Sequence, residues 1–138
     1  MDSKRAVGIV NRMIEGIQNR KDLALVDELF AADFINHTPL PGMASDREGM
    51  RQGFSMIHVA FPDGVVKVED QVASGSKVWT RKSFSGTHAG PLRGVPATGR
   101  KVSYEVFDIL EIRNGRIAGH WGLADRLSLW RQLGLAKS

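Results

Sequence analysis

The chain contains no cysteine. That excludes disulfides, cysteine-based zinc sites and a thiol nucleophile, and it fits a reducing, cytoplasmic setting. No apolar run approaches the length needed to span a membrane, and the start, Met1-Asp2-Ser3-Lys4-Arg5, lacks the apolar core of a signal peptide. There is no glycine-rich phosphate loop: Gly94 and Gly99 read as turn residues in the wrong context for one. The histidines, His37, His58, His88 and His120, form no His-x-His or His-x-x-x-His pair, so no metal site is expected. Neither repeats nor low-complexity segments occur. The formal charge of +4 comes from lysines and arginines scattered among acids. Arg47/Arg51 and Lys77/Arg81/Lys82 are the nearest approach to clusters. A nucleic-acid surface needs a denser basic stripe, so nucleic acid is not an expected partner.

What remains is an ordinary mix of apolar and charged residues over 138 positions, a length that suits one domain spanning residues 1–138. The first half has helical periodicity. Val7, Val10, Ile14 and Ile17 share a stripe, and Asp22 is placed to cap a second helix carrying Leu25, Val26, Leu29 and Phe30. Asp33 to His37 reads as a short extended piece leading into the Thr38-Pro39-Leu40-Pro41-Gly42 loop. Ser45-Asp46-Arg47-Glu48 has the form of a capping box ahead of a helix bearing Met50, Phe54, Ile57 and Phe61.

Beyond Gly64 the period changes to two. Strands are predicted around Val66–Val72, Val78–Thr87, Val102–Ile112 and Arg116–Ala124, with Asn114-Gly115 as a type I′ hairpin turn. A Gly- and Pro-rich loop occupies 88–100, and a short helix follows Asp125. Helices first and strands afterwards predict an α+β domain, with the helices on the concave face of a curved antiparallel sheet and an apolar pocket enclosed between them.

The chemistry-bearing residues fall mainly in the last third. Asp125 follows Trp121, Gly122, Leu123 and Ala124. In a regular strand Ile117, Trp121, Leu123 and Asp125 share one face, which sets a carboxylate at the end of an apolar stripe. Such a carboxylate can have a raised pKa and serve as a general acid or base. Asp is also a favoured helix N-cap, so Asp125 can simply start the final helix. His120 has the opposite parity, and a bulge at Gly119 or Gly122 is needed to bring it to Asp125. His37, beside Asn36, is placed at a cavity mouth, where it can donate to a carbonyl or help to hold the loop. Arg81 can bind an anionic substrate or pair with Asp70 or Glu105 across strands. His88 sits at a strand end. Phe54, Tyr104 and Trp121 are candidates to line the pocket.

In order and spacing, Phe34-Ile35-Asn36-His37, Ala60-Phe61-Pro62-Asp63, Gly86-Thr87-His88-Ala89-Gly90, Gly94-Val95-Pro96-Ala97-Thr98-Gly99-Arg100, Phe107-Asp108-Ile109, Asn114-Gly115-Arg116-Ile117, His120-Trp121 and Gln132-Leu133-Gly134 resemble the SnoaL-like polyketide cyclases. These are often labelled ester cyclases and belong to the NTF2-like superfamily. The resemblance implies an NTF2-like cone with a deep pocket, and a cofactor-free aldol ring closure on a hydrophobic carbonyl-containing small molecule. It implies Asp125 as general acid/base, with Asn36-His37 and Arg81 matching family positions, and a homodimer or homotetramer paired through the outer sheet face. The residue after Arg81, commonly aromatic or apolar in that family, is Lys82. Facing a pocket, it implies a substrate other than the usual flat polyketide. The third strand, where the family carries a second acid/base histidine, offers Asp108 or Glu111 instead. Two rival classes fit the same residues. A non-catalytic binding or interaction domain predicts an exposed Asp125. Another lyase, isomerase or hydrolase predicts carboxylates converging in the pocket, such as Asp108 with Asp125.

Overall fold

The N-terminal apolar stripe winds as its spacing predicts. Asp2 accepts a hydrogen bond from the Lys4 N–H and starts α1 (Ser3–Met13), which runs on through a wider π-helical turn, Ile14–Asn19. Ala6, Val10, Met13, Ile14 and Ile17 are buried along one side of it. In the computed structural model, which describes residues 2–135, α2 (Leu25–Leu29) is shorter than its periodicity suggests. Phe30 already begins β1 (Phe30–Asn36). Asp22 accepts from the Ala24 N–H and braces the turn before α2 rather than capping the helix itself. In α3 (Arg47–Ala60) the cap is Asp46, one residue later than the capping box predicts, and its carboxylate accepts the Gly49 N–H at 2.8 Å.

The second half is β2 (Val65–Ser74), β3 (Lys77–Thr87), β4 (Lys101–Arg113), β5 (Arg116–Ala124) and α4 (Arg126–Gln132). Asn114 and Gly115 both take positive φ, 52° and 75°, as a type I′ turn requires. Among the described residues no helix is long and apolar enough to cross a membrane.

The sheet departs from the expected antiparallel cone. Its order is β1-β5-β4-β3-β2, and β1 runs parallel to β5. The two ends of the order, β1 and β2, are not paired with each other, so the α+β fold rests on an open, mixed sheet. The reason is local. Tight hairpins force β2/β3 and β4/β5 to be antiparallel, whereas β1 reaches β5 through a long connection that permits the parallel sense. The β2 edge exposes Lys67, Glu69 and Asp70, charges that discourage further strand pairing.

Alternation sorts the strands into two faces. Val78, Thr80, Lys82 and Phe84 of β3, with Tyr104, Asp108, Leu110 and Ile112 of β4, are buried on the face that the helices cover. Trp79, Arg81 and Phe107 project from the other. In β5 the register slips once: Ile112 opposes Ile117, but Glu111 opposes Gly119, leaving Ala118 as the extra residue of a bulge.

The 88–100 loop is pinned to the end of α3 by the Ala89 and Gly90 N–H groups, which both donate to the Ala60 carbonyl at 3.0 and 3.2 Å. A Cβ at Gly90 would stand 2.1 Å from the Val59 carbonyl oxygen, a clash with backbone that no rotamer relieves. Gly90→Ala is therefore expected to lower unfolding stability by about 2 kcal/mol or more. Urea denaturation checks this, and an unchanged midpoint would mean that the loop is not held there.

Candidate active site

A cavity of about 220 Å³ lies between α3, the π-helical turn and the inner face of the sheet. Met43, Met50, Phe54, Ile57, Val66, Phe84 and Val106 make it largely apolar. Its polar groups are few: Gln18, Asn36, Thr38, His58, Lys82, Tyr104, His120 and, beside Ala124, Arg126.

His120 reaches this cavity because of the Ala118 bulge. The bulge puts Ile117 and His120 on the same face, although three residues separate them, and it sends Trp121 and Leu123 to the other. The predicted shared face of Ile117, Trp121, Leu123 and Asp125 is thus broken at Ala118, ahead of both Gly119 and Gly122, the glycines proposed as the bulge. The parallel pairing of β1 with β5 sets Asn36 directly beside His120, and His120 Nδ1 lies 2.8 Å from Asn36 Oδ1. The Thr38 N–H donates to that same Oδ1 at 3.1 Å, which identifies it as the carbonyl oxygen. Nδ1 must then carry the proton, and Nε2 presents a lone pair. Nε2 has no hydrogen-bond partner among the described residues. Burial pushes the imidazole pKa down to about 4; the negative charge of Asp108 opposes the shift, and Lys82 and His37 add to it. His120 is therefore a neutral base at physiological pH.

Gly122 makes room for this ring. A Cβ there would stand 2.8 Å from His120 Nε2, and the Gly122 N–H donates to Thr38 Oγ1 at 2.8 Å.

Lys82 and Asp108 form an ion pair inside the protein. Lys82 Nζ is 2.7 Å from Asp108 Oδ2, with side chains only 2% and 4% exposed. Lys82 Nζ also donates to Gln18 Oε1 at 3.2 Å. Asp108 Oδ1 is buried without a partner. Tyr104 stacks obliquely on Phe84, and burial pushes its hydroxyl up to about 12 against the opposing charge of Arg126, so it stays a proton donor. At the cavity wall, desolvation, with the charge of Lys21, lowers the His58 pKa.

The other candidates lie elsewhere. His37 is exposed on the opposite sheet face, stacked on the Trp121 indole at 4.3 Å and 5°, with Lys77 Nζ 5.0 Å over the same ring. Arg81 bridges Asp70 and Glu105 at 2.8 and 2.7 Å on that face. His88 is fully buried in the 88–100 loop, where its Nδ1 accepts the Thr98 N–H. Asp125 is exposed and accepts the Ser128 N–H at 3.1 Å as the N-cap of α4, outside the cavity wall. Its carboxylate and that of Asp108 do not converge: one is engaged at the surface, the other with Lys82 in the interior. Of the predicted residues, Asn36, Phe54, Tyr104 and His120 meet at the cavity. Lys82 joins them, with Asp108 behind it as its ion-pair partner, and the alternation Val78-x-Thr80-x-Lys82-x-Phe84 was the signal for Lys82. Nothing in the sequence marked Gln18. No three His, Asp or Glu side chains among the described residues are grouped to hold a metal ion.

The model of the SnoaL-like polyketide cyclase family matches residues 8–133. Aklanonic acid methyl ester cyclase DauD of Streptomyces sp. (strain C5) is 30% identical over 137 residues, covering 93% of this chain and 81% of DauD. The structure of TsrD from Streptomyces laurentii superposes with a TM-score of 0.88 at 30% identity, over 99% of both chains. Wild-type IdmH from Streptomyces antibioticus superposes with a TM-score of 0.82 at 33% identity, over 94% of this chain and 98% of IdmH.

The largely desolvated imidazole of His120 links stability to pH. The unfolded chain takes up a proton near pH 6.5 that folded His120 refuses until about pH 4. Acid therefore favours unfolding across that window, and the stability that neutral His120 contributes above it is lost by about 3 kcal/mol as the pH falls through it. Urea unfolding of the parent and of His120→Ala across this range isolates the effect. The parent curve should fall more steeply with acid; parallel curves would show that the imidazole titrates normally.

Proposed function

The chain belongs to the SnoaL-like polyketide cyclase family, and on that premise we propose that it closes a ring by cofactor-free acid/base chemistry, with His120 moving the proton. The observation that carries this reading is the neutral imidazole whose unpartnered Nε2 borders an apolar cavity. The substrate class is a hydrophobic small molecule with two carbonyl groups. Nε2 takes a proton from the carbon alpha to one carbonyl, and the C–H electron pair moves to make an enolate. The enolate carbon attacks the second carbonyl within the same molecule, forming the C–C bond. The resulting alkoxide takes the proton back from the imidazolium. Nothing is lost or added, so the closure is an isomerisation and needs no co-reactant.

The remaining residues support this sequence. Asn36 is a positioning residue that holds the Nδ1 proton and so keeps the lone pair on Nε2. The Tyr104 hydroxyl, protonated up to about pH 12, is a donor for a carbonyl or alkoxide oxygen. The largely apolar wall, with Met43, Met50, Phe54 and Phe84, suits a hydrophobic ligand. On the outer face, exposed Val72, Trp79, Phe107 and Leu123 surround a shallow apolar groove, which supports pairing between two copies of the chain.

Two substitutions separate His120 from Asp125 as the acid/base group. His120→Ala is expected to reduce kcat by at least about 100-fold, the usual scale for loss of a general base. Asp125→Asn keeps an N-capping side chain and is expected to leave kcat within about threefold of the parent. Steady-state turnover reads both, with aklanonic acid methyl ester, named in the relative DauD, as the first trial and less planar dicarbonyl compounds next, because Lys82 borders the cavity. A large loss in Asp125→Asn alone would transfer the role to Asp125.

A further inference from the structure

Lys82 is a lysine almost wholly removed from water, yet it borders the cavity. Its ammonium has three N–H donors. One goes to Asp108 Oδ2 and one to Gln18 Oε1, which leaves the third with no acceptor among the described residues. Stability does not account for the pair. Taking an ammonium and a carboxylate out of water costs several kcal/mol per ion, and apolar side chains of similar size commonly serve a fold as well or better. The cavity wall contains Lys82 and Arg126 but no Asp or Glu. Asp108 stands outside that wall, so a ligand meets the cation and not its partner.

We propose that Lys82 is a catalytic residue whose third N–H holds the enolate oxygen formed when His120 removes the alpha proton, with Asp108 and Gln18 as the positioning residues that aim it. The role rests on the His120 reading, since it needs an enolate formed in this cavity. The proton goes to His120 Nε2, and the electron pair goes to the carbonyl oxygen. That oxygen accepts the Lys82 N–H without taking the proton. A fixed cation where charge develops, in a largely apolar cavity, stabilises the transition state more than the neutral ground state. The preferred substrate is therefore one whose enolisable carbonyl docks against Lys82, and stable anions of the same shape, phenolates among them, should bind as mimics.

The test removes both charges together. Lys82→Met alone strands Asp108 in the interior, so its failure to fold would be uninformative. The double variant Lys82→Met/Asp108→Leu replaces the pair with apolar side chains and is expected to melt within a few degrees of the parent, yet to lose at least about 50-fold in kcat with KM changed less than about threefold. A folded double variant with kcat within about threefold of the parent would show the pair to be structural and overturn the proposal. A second measurement uses the unaltered protein. A nitronaphthol probe, whose phenolate absorbs apart from its phenol, should bind in the ionised form at a pH where the free probe is mostly neutral. Binding as the neutral phenol would overturn the proposal even if the double variant did not fold. His120→Ala, assayed in parallel, separates the two readings. If it retains turnover, the base assignment fails whatever Lys82 does. If it loses turnover while the folded double variant does not, Lys82 alone is excluded.

Discussion

Ala118 has no partner on β4, and at that point the register of β5 slips by one residue. Everything proposed for the site depends on this slip and on the hydrogen bond that fixes its result. Without the bulge, regular alternation from Ile117 through Ala118 would put the imidazole of His120 on the face that Trp121 now occupies, away from the helices. With it, His120 points into the cavity, where the Asn36 carbonyl oxygen accepts its Nδ1 proton at 2.8 Å. That bond sets the tautomer, and burial sets the charge. Together they make a neutral base with a free lone pair, at the edge of a space lined by methionine and phenylalanine. Asn36 stands there only because β1 adds to β5 in the parallel sense, so the mixed topology of the sheet is part of the site's chemistry.

The two faces of the sheet carry different electrostatics. On the outer face, charges meet water. Arg81 bridges Asp70 and Glu105, and Lys77 lies over the indole that also stacks on His37. Such pairs contribute little to stability, and their arrangement leaves the apolar groove around Trp79 and Phe107 open. On the inner face the ion pair of Lys82 with Asp108 is enclosed almost completely. Its desolvation cost makes sense if the ammonium has a task beyond neutralising its partner. The same low-dielectric surroundings that depress the pKa of His120 strengthen the field of Lys82 at an oxygen beside it.

Much of this was legible in the sequence. The helix-then-strand order, the Asn114-Gly115 turn and the Phe54 and Tyr104 positions follow from periodicity and turn chemistry. The ordered motifs carried the family resemblance, and the family match over residues 8–133 agrees with it. Two features were not legible, each for a physical reason, and a third was left open although the sequence carried a signal for it. A one-residue bulge at Ala118 leaves no compositional mark, so the parity of every later β5 residue was assigned to the wrong face. The direction of β1 depends on a long-range pairing rather than on any local turn, so the sheet was expected to be a curved antiparallel cone when it is mixed and open. A strand lysine next to Arg81 looks like part of a solvated cluster until the alternation of Val78, Thr80 and Phe84 is allowed to place it inside. Asp125 illustrates the converse. Its capping role was readable at once, and its carboxylate is engaged with the Ser128 N–H in that role.

The central claim is that His120 is neutral, protonated on Nδ1, with Nε2 bare in the cavity. Long-range proton–nitrogen correlation spectra of the uniformly nitrogen-labelled protein at neutral pH read this state directly, with His120→Ala used to assign the signals. The account predicts a pyrrole-like Nδ1 and a pyridine-like Nε2 for His120, unchanged until the pH falls towards about 4. An Nε2–H tautomer, or an imidazolium already present at neutral pH, would contradict it.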